Sequence, residues 1–411
     1  MSECVKADCL TIGVYTEKIA RLAIAIGRAD MTFEIPPMKR RTLIQSIAAS
    51  SASLAFPAFS QGNRIVLGQS AAFTGPAAQL GIQMNRGARV YFDAVNAAGG
   101  INGQQIELRT LDDGYEPDRC KANTEKFIKD NVFALFGYVG TPTCLAALPL
   151  INESKIPFFG PFTGAESLRD PFSKNIFHIR ASYYDETALI VKQLTSLNIK
   201  RIAVFHQNDA YGKAGLDGVT RALKPLNLTP AALGTVERNS VDVAAAVKSI
   251  VAGKPEAIVQ IGAYKACAAF IREARKAGYG GQFYNVSFVG TQALADELGK
   301  DGHGIVISQV MPFPFSTTTP ISREYLDAVA KAGGDAKPNY SSMEGYVAAK
   351  VFTEGLKRAG RNPTREQLIS GLESVNNTNI GGFHVSFGAR DHVASHFVEV
   401  SMLTEDGKVR R

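Results

Sequence analysis

The sequence predicts an α/β fold of two doubly wound, mostly parallel sheets, each the centre of one lobe. Short apolar runs alternate with longer amphipathic stretches, and this alternation occurs twice along the chain. Strands and helices that alternate at this spacing form parallel sheets with helices on both faces. Small polar loops follow the predicted strands, which places a ligand site at their carboxyl ends.

The first half of the pattern lies between Arg64 and Phe159. Its predicted strands are short apolar runs at 65–67, 106–108, 132–136 and 157–159. Residues 73–75, 112–113, 137–143 and 160–164 follow these strands directly. The last two loops read Gly-Tyr-Val-Gly-Thr-Pro-Thr and Gly-Pro-Phe-Thr-Gly, which are rich in hydroxyls and contain no nucleophile–base pair. This composition predicts binding rather than catalysis.

The alternation continues past this first block up to residue 310. The predicted strands are 176–179, 201–205, 231–236, 257–261, 282–286 and 304–310, and the helices are 185–197, 212–223, 241–251, 265–277 and 292–299. Two open sheets that face each other leave a cleft, and clefts between domains are favoured ligand sites.

The run Pro312-Phe313-Pro314-Phe315 interrupts the alternation where the chain is expected to cross between lobes. The remainder is mainly helical, with predicted helices at 322–332, 343–358 and 364–373, two strands at 383–387 and 396–403, and a turn at 405–407. The chain therefore returns to an earlier sheet at its end.

The N-terminal region has the layout of a secretory signal. A basic segment, 38–41, precedes a stretch of small and apolar residues, 42–56. The small residues Ala58 and Ser60 follow at the positions that signal peptidase recognises. We expect translation to start at Met38, cleavage near Ser60 and a periplasmic product. Residues 1–60 are then an upstream extension plus the signal, and export by the Sec or the twin-arginine route stays open.

Composition excludes several classes of partner. The formal net charge is +7, and Lys and Arg are spread along predicted helices rather than gathered with aromatic residues. Nucleic acid is therefore not an expected partner. After the signal, no segment approaches the ~20 apolar residues of a membrane span, so stable membrane insertion is not expected.

Enzyme, cofactor and metal signatures are missing from the sequence. There is no dinucleotide fingerprint after the first strand, no phosphate loop and no Gly-Xaa-Ser-Xaa-Gly elbow. The six histidines show no metal-ligand spacing with an acid. We expect no enzymatic activity, no cofactor and no metal.

Cys120 and Cys144 are predicted to begin neighbouring elements of one sheet. In an oxidising compartment a disulfide between them is plausible, and the alternative is two free buried thiols. Cys267 lies in a predicted helix and is expected in the core.

Several segments together resemble the type 1 periplasmic binding proteins, in particular the leucine/isoleucine/valine-binding family of ABC importers. In the first half they are 65–75 with Gly81, 85–88, 96–103 and 112–113; in the second half they are 209–212 and 278–279. The resemblance implies two lobes joined by a hinge of three crossings. Lobe one would be 62–181 plus 312–390, and lobe two 182–311 plus 391–411. It also implies a monomer that works with an ABC permease and ATPase.

The resemblance further implies a site for a small carboxylate. Its lobe-one ligands would be Thr141 and Thr143 in one loop and Thr163 with Gly164 in the other. Helix N-termini and hydroxyls suit an anion, although the threonines could instead cap the following helix. The other positions that match or adjoin the pocket are Tyr211 and Tyr264 in lobe two, and Phe73 and Leu80 at the mouth.

One position departs from the family pattern. Amino-acid binders in this family hold the ligand ammonium with a carboxylate after the strand at 282–286, where this chain has Ser287. Asp209 or Glu344 could replace it, although Glu344 could also be a solvated helix residue. The other possibility is an amine-free ligand, such as an aromatic acid, with Phe288 stacked on it. The expected function is extracytoplasmic capture of a branched-chain or related amino acid, and a sensing receptor of the same fold is the alternative.

Overall fold

The computed structural model describes residues 64–411, which build two sheets covered by helices. The predicted signal, the start at Met38 and the cleavage near Ser60 lie outside the described residues. Among residues 64–411, none of the helices combines the length and hydrophobicity that a bilayer crossing requires.

The first sheet has five parallel strands in the order β2-β1-β3-β4-β5. The strands are β1 (Arg64–Ala71), β2 (Gln105–Asp112), β3 (Ala134–Phe136), β4 (Phe158–Phe159) and β5 (Ile176–Phe177). Helices α1 (Ala78–Ala97), α2 (Pro117–Lys129) and α3 (Thr141–Ser154) connect them. Because every pair is parallel, the loops after β3 and β4 emerge at the same edge of the sheet.

The second sheet has seven strands in the order β14-β13-β10-β9-β8-β6-β7. Its parallel part contains β6 (Ile202–Gln207), β7 (Leu233–Val236), β8 (Ala257–Ile261), β9 (Gln282–Asn285) and β10 (Val306–Gln309). The C-terminal strands β13 (Glu399–Leu403) and β14 (Val409–Arg410) add to it antiparallel.

Five helices belong to the stretch that contains the parallel strands of the second sheet. They are α4 (Tyr183–Ser196), α5 (Ala210–Leu223), α6 (Ala244–Ala252), α7 (Tyr264–Lys276) and α8 (Thr291–Leu298). Their starts follow strand ends, so α5 begins three residues after β6 and α7 three residues after β8. Strand-end loops of both sheets therefore lead into helices.

The segment between β10 and β13 packs on the first half of the chain. It contains α9 (Pro320–Ala332), α10 (Tyr340–Ala359), α11 (Arg365–Glu373) and the short hairpin β11 (Thr378–Asn379) and β12 (His384–Val385). Helix α10 lies directly on α1, because a Cβ at Gly87 would overlap the carbonyl oxygen of Ser342 and one at Gly345 would overlap that of Met84. Glycine permits this close backbone approach.

The chain consequently passes between the two halves three times: after β5, after β10 and before β13. The predicted α/β fold with two large sheets is confirmed. Most observed strands fall within or beside the predicted runs, whereas the two-residue strands β11 and β14 were not predicted. Most differences concern strand length: the run 132–136 contributes only Ala134–Phe136, whereas the first strand extends to Ala71.

Candidate functional site

The loops after β3 and β4 bring two predicted ligand residues together. The Oγ1 atoms of Thr141 and Thr163 lie 2.7 Å apart, and Thr163 Oγ1 also donates to the hydroxyl of Tyr183 at 3.3 Å. All three side chains are buried. Helix α3 begins after Gly140, which has φ 102° and provides no side-chain cap. The hydroxyl of Thr141 therefore does not cap its helix and is held in a polar cluster.

The neighbouring Thr143 and Gly164 have different surroundings. The hydroxyl of Thr143 donates to backbone carbonyls, to Val139 O at 2.5 Å or Gly140 O at 2.9 Å. The hydroxyl proton is therefore hydrogen-bonded to the backbone at the start of α3 and is not directed to a ligand. Gly164 lies against α4, since a Cβ there would come within 2.7 Å of the backbone nitrogen of Tyr183.

Aromatic rings from both halves meet beside the threonine pair. The ring of Tyr211 is centred 5.4 Å from that of Tyr183 and 4.5 Å from that of Phe288. Phe288 in turn lies 5.6 Å from Phe162 and 6.0 Å from Tyr115. We call these five rings the aromatic seam. They give the cleft an apolar wall next to its hydroxyls.

The other aromatic and apolar candidates lie around the cleft. Tyr264 is buried at the start of α7, where burial raises the pKa of its hydroxyl and the nearby backbone of Gln79 in α1 opposes the shift. Leu80 is buried against Gly290 of the second half. Phe73 is half-buried, and its backbone nitrogen donates to Asp112 Oδ1 at 2.8 Å.

Of the two proposed amine partners, Asp209 is already engaged. Its carboxylate caps α5 by accepting from the backbone nitrogens of Tyr211 and Gly212. It also accepts from Gln207 Nε2 at 2.6 Å and pairs with Arg238 at 3.4 Å. With these four donors, Asp209 has little capacity left for a ligand ammonium.

Glu344 is buried rather than solvated, with 3% of its surface exposed. Burial raises the pKa of its carboxyl to about 7, even though the Arg180 guanidinium opposes the shift. Glu344 lines a small cavity of about 10 Å³ together with Phe162, Ser287, Tyr340 and others. That volume holds roughly one water molecule.

Arg180, which the sequence pattern did not indicate, is fully buried beside this cavity. Its Nη2 donates to Ser287 Oγ and lies 3.8 Å from Glu186 Oε1. Its Nε lies 3.6 Å from Glu344 Oε1, and its guanidinium lies over the Phe162 ring at 4.8 Å. Burial alone would lower the pKa of Arg180, but the carboxylates of Glu344 and Glu186 raise it above its ordinary value. Arg180 is therefore a permanent cation in the cleft.

Glu186 is the best satisfied acid of this cluster. It accepts from the Ser287 backbone nitrogen at 2.7 Å, from Ser287 Oγ at 3.0 Å and from Ser308 Oγ at 2.6 Å. Ser287 thus bridges Arg180 and Glu186 instead of standing alone in the position where an acid was expected.

Polar contacts also join the two halves at the rim of the cleft. Arg238 Nη2 pairs with Glu116 Oε2 at 3.0 Å, and Asn239 Nδ2 donates to Gly114 O at 2.9 Å. Deeper in the cleft, Gln207 Nε2 donates to the hydroxyl of Tyr115 at 3.2 Å. The halves therefore touch, and a ligand larger than water requires them to separate.

A larger surface groove, of about 820 Å³, lies elsewhere, between α1 and α9. Phe73 is its one contribution from a strand-end loop, and neither Thr141 nor Thr163 reaches it. We assign the site to the cleft, because hydrogen-bond donors converge there from both sheets.

Within residues 64–411, no group of three or more histidine, cysteine or acidic side chains is arranged to hold a metal ion. His392 stacks on Phe177 with centroids 3.7 Å apart, whereas His396 pairs with Asp185 at 3.1 Å.

Cys120 and Cys144 are buried in the same apolar cluster, with Tyr138 and Phe158, and both thiols are free in the structure. Burial raises the pKa of each thiol, and the neighbouring Cys120 adds to the shift of Cys144. The predicted disulfide is thus not formed here, and its formation in solution stays a prediction. Cys267 is a buried free thiol, as predicted for a core residue.

Comparison with known proteins gives matches over nearly all of the described chain. A family model described as "Periplasmic binding protein" matches residues 64–408. The "Leu/Ile/Val-binding protein homolog 7" of Brucella melitensis is 24% identical over 388 residues, covering 88% of this chain and 94% of the relative. A "Leucine-, isoleucine-, valine-, threonine-, and alanine-binding protein" of Pseudomonas aeruginosa is 23% identical and covers 79% of this chain and 86% of the relative.

Two solved structures are 34% identical to the chain. One is a possible leucine/isoleucine/valine-binding protein from Rhodopirellula baltica, with a TM-score of 0.82 over 85% of this chain and 96% of that chain. The other is a substrate-binding periplasmic protein from Ralstonia solanacearum, with a TM-score of 0.80 over 84% of this chain and 99% of that chain.

Proposed function

The chain belongs to the periplasmic binding protein family, in its Leu/Ile/Val-binding branch, and from that premise we propose that it captures a small carboxylate between its lobes and delivers it to an ABC permease. Members of this family bind solutes rather than transform them. The observation that carries the proposal is the buried pair Thr141–Thr163 at 2.7 Å, at the carboxyl ends of two parallel strands.

The position of this pair suits an anion. Thr141 is the first residue of α3, where backbone N–H groups have no partner within the helix. The helix dipole adds positive potential at that end. Hydroxyls and N–H groups at the floor of the cleft would then hold the carboxylate, while Tyr211 and Phe288 cover the body of the ligand.

Closure would follow from contacts that form only in the shut state. Arg238 with Glu116 and Gln207 with Tyr115 join the halves across the cleft. A ligand that adds contacts to both halves shifts the population toward this state. We propose lobe boundaries at 181/182, 311/312 and 390/391, within the three passages between the halves.

The N-terminal pattern and the relatives support export. We propose that the signal ending near Ser60 sends the protein to the periplasm, where the permease and ATPase of an importer receive the cargo. The family supports this location, because its members are periplasmic.

The test begins with thermal-shift screening of the purified protein against amino acids, aromatic acids, ureas and amides. Carboxylates are expected to raise the melting temperature, and titration calorimetry of the best hit gives its affinity. Uptake of that ligand by membrane vesicles that contain the cognate permease is expected to depend on added protein. A crystal with the ligand seated away from Thr141 and Thr163, or chemically converted, would refute the proposed site.

A further inference from the structure

Among its described residues the cleft contains the buried cation Arg180, and each of the acids beside it already has a partner. Glu186 is saturated by three hydrogen bonds, and Asp209 accepts from four donors. Glu344 faces Arg180 at 3.6 Å. A ligand ammonium would therefore enter next to a guanidinium that cannot lose its charge.

Arg180, in contrast, has unused donors. Its Nε and Nη1 are buried and have no hydrogen-bond partner. A buried donor without an acceptor is costly, so these N–H groups favour a ligand that brings acceptor oxygens. Three residues that line the small cavity, Phe162, Ser287 and Glu344, are also direct neighbours of the guanidinium. The free donors thus border the space that opens when the halves separate.

Glu344 does not prevent an anion from binding there. Its pKa is raised to about 7, so near neutral pH the carboxyl takes up a proton readily. A protonated carboxyl carries no charge to repel a ligand carboxylate and adds one O–H donor.

Aromatic rings form another part of the wall. The aromatic seam supplies the rings of Tyr183, Tyr211, Phe162 and Phe288 beside the threonine pair. Such rings favour a hydrophobic or aromatic body on the ligand.

We infer that the ligand is a carboxylate without an ammonium group, carried on an apolar or aromatic body, and that Arg180 is the residue that selects it. This inference rests on the proposed function, which requires only that some small carboxylate binds in the cleft. Arg180 discriminates against amino acids because like charges brought together out of water repel strongly.

The test uses matched pairs that differ only in the amine: phenylalanine with hydrocinnamate, and leucine with isocaproate. Titration calorimetry on the intact protein is expected to show each amine-free acid binding at least about tenfold more tightly than its amino acid. Equal affinity, or tighter binding of the amino acids, overturns the inference and leaves the proposed function standing. Binding of neither series overturns the inference, whereas the proposed function fails only if no small carboxylate of the thermal-shift screen binds.

Variants assign the preference to Arg180. Arg180→Gln is expected to weaken hydrocinnamate by about tenfold or more while changing phenylalanine much less, since it removes the charge. Arg180→Lys keeps the charge and should keep the preference for hydrocinnamate over phenylalanine. Retention of the preference in this variant would show that its loss in Arg180→Gln is due to the charge and not to misfolding. The control is Arg169→Lys, because Arg169 is a half-buried arginine of the same region whose Nε and Nη1 also lack partners. Its Nη2 donates to the backbone carbonyls of Thr163, Arg180 and Ala181, none of which lines the small cavity. An unchanged preference in well-folded Arg180→Gln would refute the role of this side chain.

Discussion

The side-chain oxygens of Thr141 and Thr163 form a hydrogen bond of 2.7 Å across a sequence separation of 22 residues. Two hydroxyls that bond to each other use one proton between them, and Thr163 Oγ1 directs a proton to the hydroxyl of Tyr183 at 3.3 Å. The pair is fully buried in the structure. Opening of the cleft would therefore expose a preformed chain of three hydroxyls rather than independent side chains.

Removal of both hydroxyls is expected to weaken ligand binding. The double variant Thr141→Ala plus Thr163→Ala should lower affinity by about tenfold or more, because hydrogen bonds to a charged group contribute about 1.5–3 kcal/mol each. Titration calorimetry with the best carboxylate measures the change. Thr143→Ala is the matched control, since that hydroxyl already bonds backbone carbonyls. Full affinity in the double variant would remove the proposed anion site.

The ion pair at the rim is expected to favour the shut state. Arg238→Ala removes contacts to Glu116 and Asp209, and the side chain of Arg238 is 25% exposed. A pair of this exposure stabilises by about 0.2–1 kcal/mol, so apparent affinity should fall by at most about fivefold. Small-angle scattering of the unliganded variant should show a larger radius of gyration. Arg201→Ala is the control, because Arg201 pairs with Glu256 within its own half; the same expansion in both variants would contradict the assignment.

Stability is expected to depend on pH through Glu344. Its folded pKa of about 7 lies above the ordinary value of 4.5, so the folded state binds more protons than the unfolded state between these values. The stabilisation is complete below the lower value and is lost as pH rises through the higher one. The free energy of unfolding should fall less with rising pH in Glu344→Gln than in the wild type, by on the order of 3 kcal/mol. Denaturant titrations at a series of pH values give the difference between the two proteins.

That comparison isolates Glu344 from other buried acids. Asp113 also has a raised pKa, about 6, owing mainly to burial, so the wild-type decline contains at least two contributions. Identical pH profiles for wild type and Glu344→Gln would show that Glu344 does not titrate in this range.

Oxidation of Cys120 and Cys144 can be measured directly. If the periplasm joins them, the intact protein is lighter by two hydrogen atoms before reduction than after it, and alkylation without reduction labels neither thiol. A bridge that closes this loop would stabilise the fold by about 3 kcal/mol. Both thiols are free in the structure, so labelling of both in freshly exported protein would establish the alternative of free thiols.

The alternation of apolar runs and helical stretches was sufficient to predict the fold. Hydrophobic periodicity follows from burial of one face of each element, which is a local property of the chain. The ends of strands are harder to predict from sequence, because hydrogen bonding to neighbouring strands decides where a strand ends. Residues 132 and 133 have the apolar character of a strand but precede the β3 pairing that begins at Ala134.

The strand-end rule also located Thr141 and Thr163, but it did not reveal Arg180. Arg180 follows β5 by three residues, so the same rule applied to the fifth strand would have indicated it. No local pattern predicts that Arg180 contacts both Glu186 and Glu344, because these two acids belong to different helices. The sequence also left open whether Glu344 was solvated, because burial of α10 depends on its packing against α1.

The aromatic seam makes the chain suitable for an optical reporter. The protein contains no tryptophan, and Phe288 lies between rings of the first half, Tyr115 and Phe162, and Tyr211 of the second half. An indole introduced by Phe288→Trp would be the sole source of tryptophan emission. Its colour and intensity would then follow the entry of solvent between the halves in real time, without any attached dye.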